Sequence, residues 1–204
     1  MLVAMQAGAQ GSGQSYTVTA PTAQMVALMQ SQVFTDAGKY YPCRNNPSCS
    51  SWGQSIVLSD PQMSINGARI VFSVHLVGTY GVNQYLAAGV AGDLIVSGVP
   101  VVSDNRIRLS QASVEAGKAD FTFQAFVEAT HARMEQMVSQ QGGFDLAQYL
   151  SSSARDPRLP PPRLPGIRCV DASEIKLQTV ATDPGASAIS ATVLAPPPPG
   201  RPSC

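Results

Sequence analysis

Between residues 119 and 141, apolar side chains recur at steps of three and four: Phe123, Phe126, Val127, Thr130, Met134, Met137 and Val138. That spacing is one face of a helix. Gln124, Glu128, Arg133, Glu135 and Gln140 fall mostly on the other face. Asp120 supplies an N-cap, since its carboxylate can accept a first-turn amide, and Gly142-Gly143 supplies a stop. The predicted helix is roughly 35 Å long. A shorter one opens at Pro21 and Thr22 and ends near Phe34, with Met25, Val26, Met29 and Val33 as its apolar stripe.

The intervening chain alternates instead. Over 68–80, Ala68, Ile70, Phe72, Val74 and Leu76 share one face. Arg69, Ser73, His75 and Thr79 share the other, with Val71 and Val77 interspersed. Strict alternation is the mark of a strand, and this one would extend about 43 Å. A turn at 83–88 leads into a returning strand over 89–102, where Val90, Leu94 and Val96 share a face and Gly92 and Gly98 leave gaps in it. Ser103-Asp104-Asn105 turns the chain again. Over 106–115, Ile107 and Leu109 are followed by Ala112 and Val114, a change of phase that predicts a bulge near Ser110 or Gln111. Upstream, Ile56-Val57-Leu58 runs into Asp60-Pro61, which breaks or bends the strand. Tyr16-Thr17-Val18-Thr19 forms a short first strand. The last two cover 173–181, with Ile175 and Leu177 on one face, and 186–195, joined by an Asp183-Pro184-Gly185 turn.

Strands in sequential runs with helices kept apart predict an α+β antiparallel fold. The expected architecture is a long curved antiparallel sheet wrapped around the long amphipathic C-terminal helix, with the shorter helix N-terminal to it. Residues 1–14, rich in Gly and Gln, read as a flexible lead, 15–195 as a single domain and 196–204 as a proline-rich tail. Five prolines over 155–165 read as a stiff connector within the domain.

Composition narrows the partners. Thirteen basic residues balance thirteen acidic ones, and charged residues are only 13% of the 204. No basic excess exists to neutralise phosphates, so nucleic acid is not expected as a partner. Four cysteines suit an oxidising compartment. Cys43 and Cys49 bracket a turn-rich insert that could close a small loop, and Cys169 and Cys204 then pair or stay free; all three pairings remain open. With no CxxC, and with His75 and His131 on predicted elements, no metal site is expected. No segment has the ~20 apolar residues of a membrane span. Residues 2–9 lack a basic n-region and read as the remnant of a removed signal or the lead of an exported protein. No GxSxG, HExxH, phosphate-binding loop or dinucleotide fingerprint occurs, so neither an enzyme nor a cofactor is expected. Glu115, Asp120 and Glu128 read as caps and solvated positions.

The order strand, short helix, glycine-punctuated meander over 68–115, long helix and two closing strands resembles the tubular lipid-binding (TULIP) superfamily. The segments Ala91-Gly92-Asp93-Leu94-Ile95-Val96-Ser97-Gly98 and Arg106-Ile107-Arg108-Leu109 most resemble its bacterial exported lipoprotein-like branch. The resemblance spans residues 15–195 and carries no catalytic residues with it. It does not extend to the 43–49 loop or to the proline-rich connector. It implies an apolar tunnel between helix and sheet that holds lipid or another hydrophobic small molecule. Phe72, Val74, Leu76, Leu94, Val96, Phe123, Phe126, Val127, Met134, Met137, Ile175 and Leu177 would line that tunnel. Lipid binding or transport in the periplasm, or at the outer membrane with tethering or transient membrane contact, is the function so implied. The alternative is a structural or protein-interaction module of the cell envelope with a closed core, no ligand and a protein partner.

Overall fold

The computed structural model describes residues 14–44, 55–81, 87–140 and 174–195. In chain order these form β1 (Gln14–Pro21), α1 (Thr22–Gln32), β2 (Lys39–Tyr40), β3 (Val57–Asn66), β4 (Arg69–Gly81) and β5 (Ala87–Ser103). Then come β6 (Arg106–Ala119), α2 (Phe121–Gln140), β7 (Lys176–Asp183) and β8 (Ala188–Ala195). The fold is α+β, with antiparallel strands throughout the described residues. The strands fall into two sheets rather than the one expected: five in the order β2-β3-β4-β5-β6, and three in the order β1-β8-β7.

The meander is the long-stranded block that the alternation predicts. Even-numbered residues of β4 and β5 face inward: Ile70, Val74, Leu76, Val90, Leu94 and Val96 are all buried. Two bulges fall where the pattern breaks. Ser97 pairs with Ser113 and Val99 with Ser110, so Gln111 and Ala112 stand opposite Gly98 alone. Gln111 takes φ 50° there. Arg69, reaching across from β4, donates through Nη2 to the Gln111 carbonyl (3.0 Å) and to Ser97 Oγ (2.9 Å), which holds the bulge in place. In β3 the ladder skips from Ser59 to Gln62, so Asp60-Pro61 is a second bulge, with Asp60 at φ 52°. Asp104 and Asn105 form a two-residue hairpin turn, both at positive φ (52° and 60°), the primed geometry that suits twisted strands.

α2 begins as its sequence dictates: the Phe123 amide donates to Asp120 Oδ1 at 2.8 Å. The helix then runs back along β6. The Val114 amide on that strand donates to Glu135 Oε1 (3.1 Å), and Arg108 Nη1 donates to the Gln140 carbonyl at the helix end (3.0 Å). A cation on the last helical carbonyl also complements the helix dipole. α1 differs from expectation in its stripe: Met25 and Leu28 are buried, whereas Val33 is 41% exposed. The helix ends at Gln32, and the chain turns so that Phe34, not Val33, enters the core.

Two apolar cores result. One lies between α2 and the inner face of the five-stranded sheet, around Phe123, Phe126, Val127, Val74, Leu76, Leu94, Val96 and Val114. The other lies under the three-stranded sheet, around Tyr16, Val18, Ile175, Leu177 and Val193, closed by Leu28 of α1 and Ile107 of β6. The sheets meet through a side chain instead of a ladder. Asn105 Nδ2 donates to the Ile175 carbonyl (2.9 Å), and the Leu177 amide donates to Asn105 Oδ1 (2.6 Å). The final strands sit later than expected, β7 at Lys176–Asp183 with its turn over 184–187. Gly142-Gly143, Trp52, residues 83–86 of the expected turn, the proline-rich connector, residues 1–13 and residues 196–204 lie outside the described residues, as do Cys49, Cys169 and Cys204; Gln14, expected in the flexible lead, opens β1, and Ala87 and Ala88, expected in the turn, open β5.

Candidate apolar binding face

Nine of the residues expected to line a cavity gather in one place. Phe72, Val74, Leu76, Leu94, Val96, Phe123, Phe126, Val127 and Met134 all belong to the cluster between α2 and the five-stranded sheet. Ile175 and Leu177 do not; both are buried in the second core, under the three-stranded sheet. Met137 is 43% exposed.

The face is closed at one end. Phe123 is 0% exposed, and its ring lies over the Gly92 backbone so closely that a Cβ there would stand 2.7 Å from two ring carbons. Phe126 packs against it (centroids 5.9 Å) and meets Tyr80 of β4 edge to face at 5.1 Å. Helix and sheet are in van der Waals contact there, with no room between them. The other end differs. Phe126 and Met137 are eleven residues apart, three helical turns, and so look the same way from the helix. Phe126 is 5% exposed and Met137 is 43% exposed. Phe72, Leu109, Met134 and Val138 pack on that core while remaining only partly buried. The stripe on α2 is therefore fully buried in its first turns and only partly buried, with Met137 exposed, toward its end.

The polar groups sit elsewhere. His75 Nδ1 lies 2.9 Å from Asp93 Oδ1 on the outer face of the sheet, where Ser59 stands opposite His75 in register. The Ser59 hydroxyl, however, donates to Asp60 Oδ2 (3.0 Å), so serine and imidazole are not aligned as nucleophile and base. His131 Nδ1 bonds the Glu128 carbonyl of its own helix. Burial raises the Tyr16 hydroxyl above its ordinary pKa of 10.0, in the other core. No group of three metal-ligating side chains forms among the described residues, and none of their helices is long and apolar enough to cross a membrane.

Cys43 is disulfide-bonded. Its neighbour Arg44 stacks 3.6 Å over the Tyr41 ring and pairs with Asp36 at 2.9 Å. A sequence reading misses the Asn105 bridge between the sheets, because a turn asparagine signals only its backbone preference. Comparison with protein-family models, with curated proteins and with solved structures finds no match.

Proposed function

We propose that this protein binds a lipid or similar hydrophobic molecule without transforming it, and that the guest lies at the C-terminal half of α2. The single observation that carries the proposal is the contrast along one helix face, Phe126 buried and Met137 exposed. An acyl chain laid along Met134, Met137 and Val138, against Leu109 and Phe72, would extend the core by ~0.8 kcal/mol for each methylene it buries. Methionine suits such a surface because its flexible thioether adapts to different chain shapes. The bulges at Asp60 and Gln111 support this reading, because a strand that curls around a helix in the tubular lipid-binding manner would need such bends. The disulfide at Cys43 supports an oxidising envelope compartment, such as the periplasm.

The test is native mass spectrometry of the protein as purified, followed by titration with phospholipid. Retained or acquired lipid is expected, and Met137→Asp should reduce uptake at least tenfold while leaving the circular dichroism unchanged. A mass free of ligand, with no uptake of added lipid, would sink the proposal. One observation favours a second reading: the seating of Phe123 on Gly92 is that of a closed core. On that reading the protein is an interaction module of the envelope, and the exposed end of α2 takes a protein partner instead of a lipid.

A further inference from the structure

α2 is one helix in its backbone and two in its contacts. Its fully buried side chains, Phe123, Phe126 and Val127, all fall in its first two turns. Asp120 caps that end, and the Phe123 ring is seated over Gly92. Farther along, Met134 and Val138 are partly buried and Met137 is exposed. Polar contacts fasten this second part to β6. Glu135 Oε1 accepts the Val114 amide (3.1 Å), and Arg108 Nη1 donates to the Gln140 carbonyl (3.0 Å). Each such bond contributes modestly, because water takes the place of the partner when it breaks.

The two parts meet where side chains compete for the helix's own carbonyls. Thr130 Oγ1 donates to the Phe126 carbonyl at 2.7 Å, and His131 Nδ1 donates to the Glu128 carbonyl at 2.7 Å. In a regular helix those carbonyls accept the amides of residues 130 and 132. A second donor on each weakens the bonds that span this turn, and back-bonding of this kind is a known cause of helix bending.

We propose that α2 is a hinged strap. Residues 132–140 swing away from β6 as a unit about the turn at Thr130 and His131, while residues 121–129 stay seated on the sheet. The swing breaks the Glu135 and Arg108 contacts and draws Met134 and Val138 off the core. It uncovers β6 between the two anchored positions, Arg108 and Val114, a stretch that includes the partly buried Leu109. Withdrawing partly buried side chains costs less than withdrawing Phe123, Phe126 and Val127, so this opening lies well below global unfolding. A hydrophobic guest enters by that route, and the strap closes over it. The role in entry rests on the lipid-binding reading; the swing itself does not and occurs in the free protein.

Amide-resolved hydrogen exchange, followed by NMR on the intact, oxidised chain, tests the proposal. A helix end that merely frays loses protection residue by residue toward its last turn, whereas a strap that swings as a unit loses it in one step. Protection at residues 134–138 is expected to be uniform and roughly tenfold below that at residues 125–129. Glu135→Ala removes one anchor, so it should lower protection further at 134–138 and leave 125–129 unchanged. Thr130 is half-buried, and Thr130→Val keeps its shape while removing the second donor from the Phe126 carbonyl. That variant should raise protection at 134–138 by about threefold. A substitution that only damaged packing would lower it, so the sign identifies the hinge. A graded decline along α2, or unchanged protection in Thr130→Val, overturns the strap whether or not lipid binds. A step in protection with no uptake of added phospholipid in native mass spectrometry overturns the role in entry, together with the lipid reading.

Discussion

Asn105 combines two demands that few residues satisfy together. Its backbone sits at φ 60°, a left-handed conformation that asparagine tolerates better than most side chains. Its carboxamide meanwhile presents a donor to Ile175 and an acceptor to Leu177, the same pair of bonds a neighbouring strand would offer. Substitution separates the two demands. Asn105→Gly keeps the turn and removes the bridge, leaving a half-buried amide and carbonyl unpaired. It should lower unfolding free energy by about 1–3 kcal/mol in a urea titration. Asn105→Asp keeps the acceptor for the Leu177 amide but sets an oxygen against the Ile175 carbonyl, so it should not recover the loss. Equal stability of wild type and Asn105→Gly would show that the bridge adds nothing to the junction, which apolar packing and the Thr182 hydroxyl on the Gly67 carbonyl would then carry.

At the scale of elements, the seating of α2 is governed by one glycine. Gly92 reads from sequence as a gap in the inner face of β5, and so it is. What sequence does not say is that Phe123 fills the gap, because which ring crosses which strand depends on how a helix lies on a sheet. Gly92→Ala places a methyl in the volume of the Phe123 ring and against Ala119 Cβ (2.9 Å), with Phe123 itself fully buried. Lifting the helix or rotating the ring should cost about 1–3 kcal/mol, seen as a lower midpoint in thermal denaturation. An unchanged midpoint would mean that the helix is not held against the sheet there. The meander, its bulges and the Asp120 cap were legible because each is a local signal: alternation, a phase change, a capping side chain ahead of a periodic run. The division into two sheets was not, because Ile175 and Leu177 alternate as they would in any sheet. Period two identifies an inward face and is silent about which core that face enters.

For the whole molecule, the two cores raise the question of whether one can melt without the other. At least three elements tie them together, β5 among them, with Val96 in one core and Val102 against the other. α1 contributes Leu28 to one core and sets Met29 against the other, and β6 contributes Ile107 to one and Val114 to the other. A helix turn and two strands cannot lose their packing on one side and keep their geometry on the other, so the cores should unfold as one unit. Two truncations test this. Phe123 and Val193 are each 0% exposed, one in each core. Phe123→Ala should remove about 3–5 kcal/mol and Val193→Ala on the order of 2 kcal/mol, the difference reflecting the volume deleted. Because the two side chains belong to separate clusters, the losses should add in the double variant. All three proteins should still show a single calorimetric transition, shifted by different amounts but never split. A second transition in either single variant would identify the three-stranded sheet as a separable unit. Asn105 and Ile107 would then be contacts between two independently folding parts.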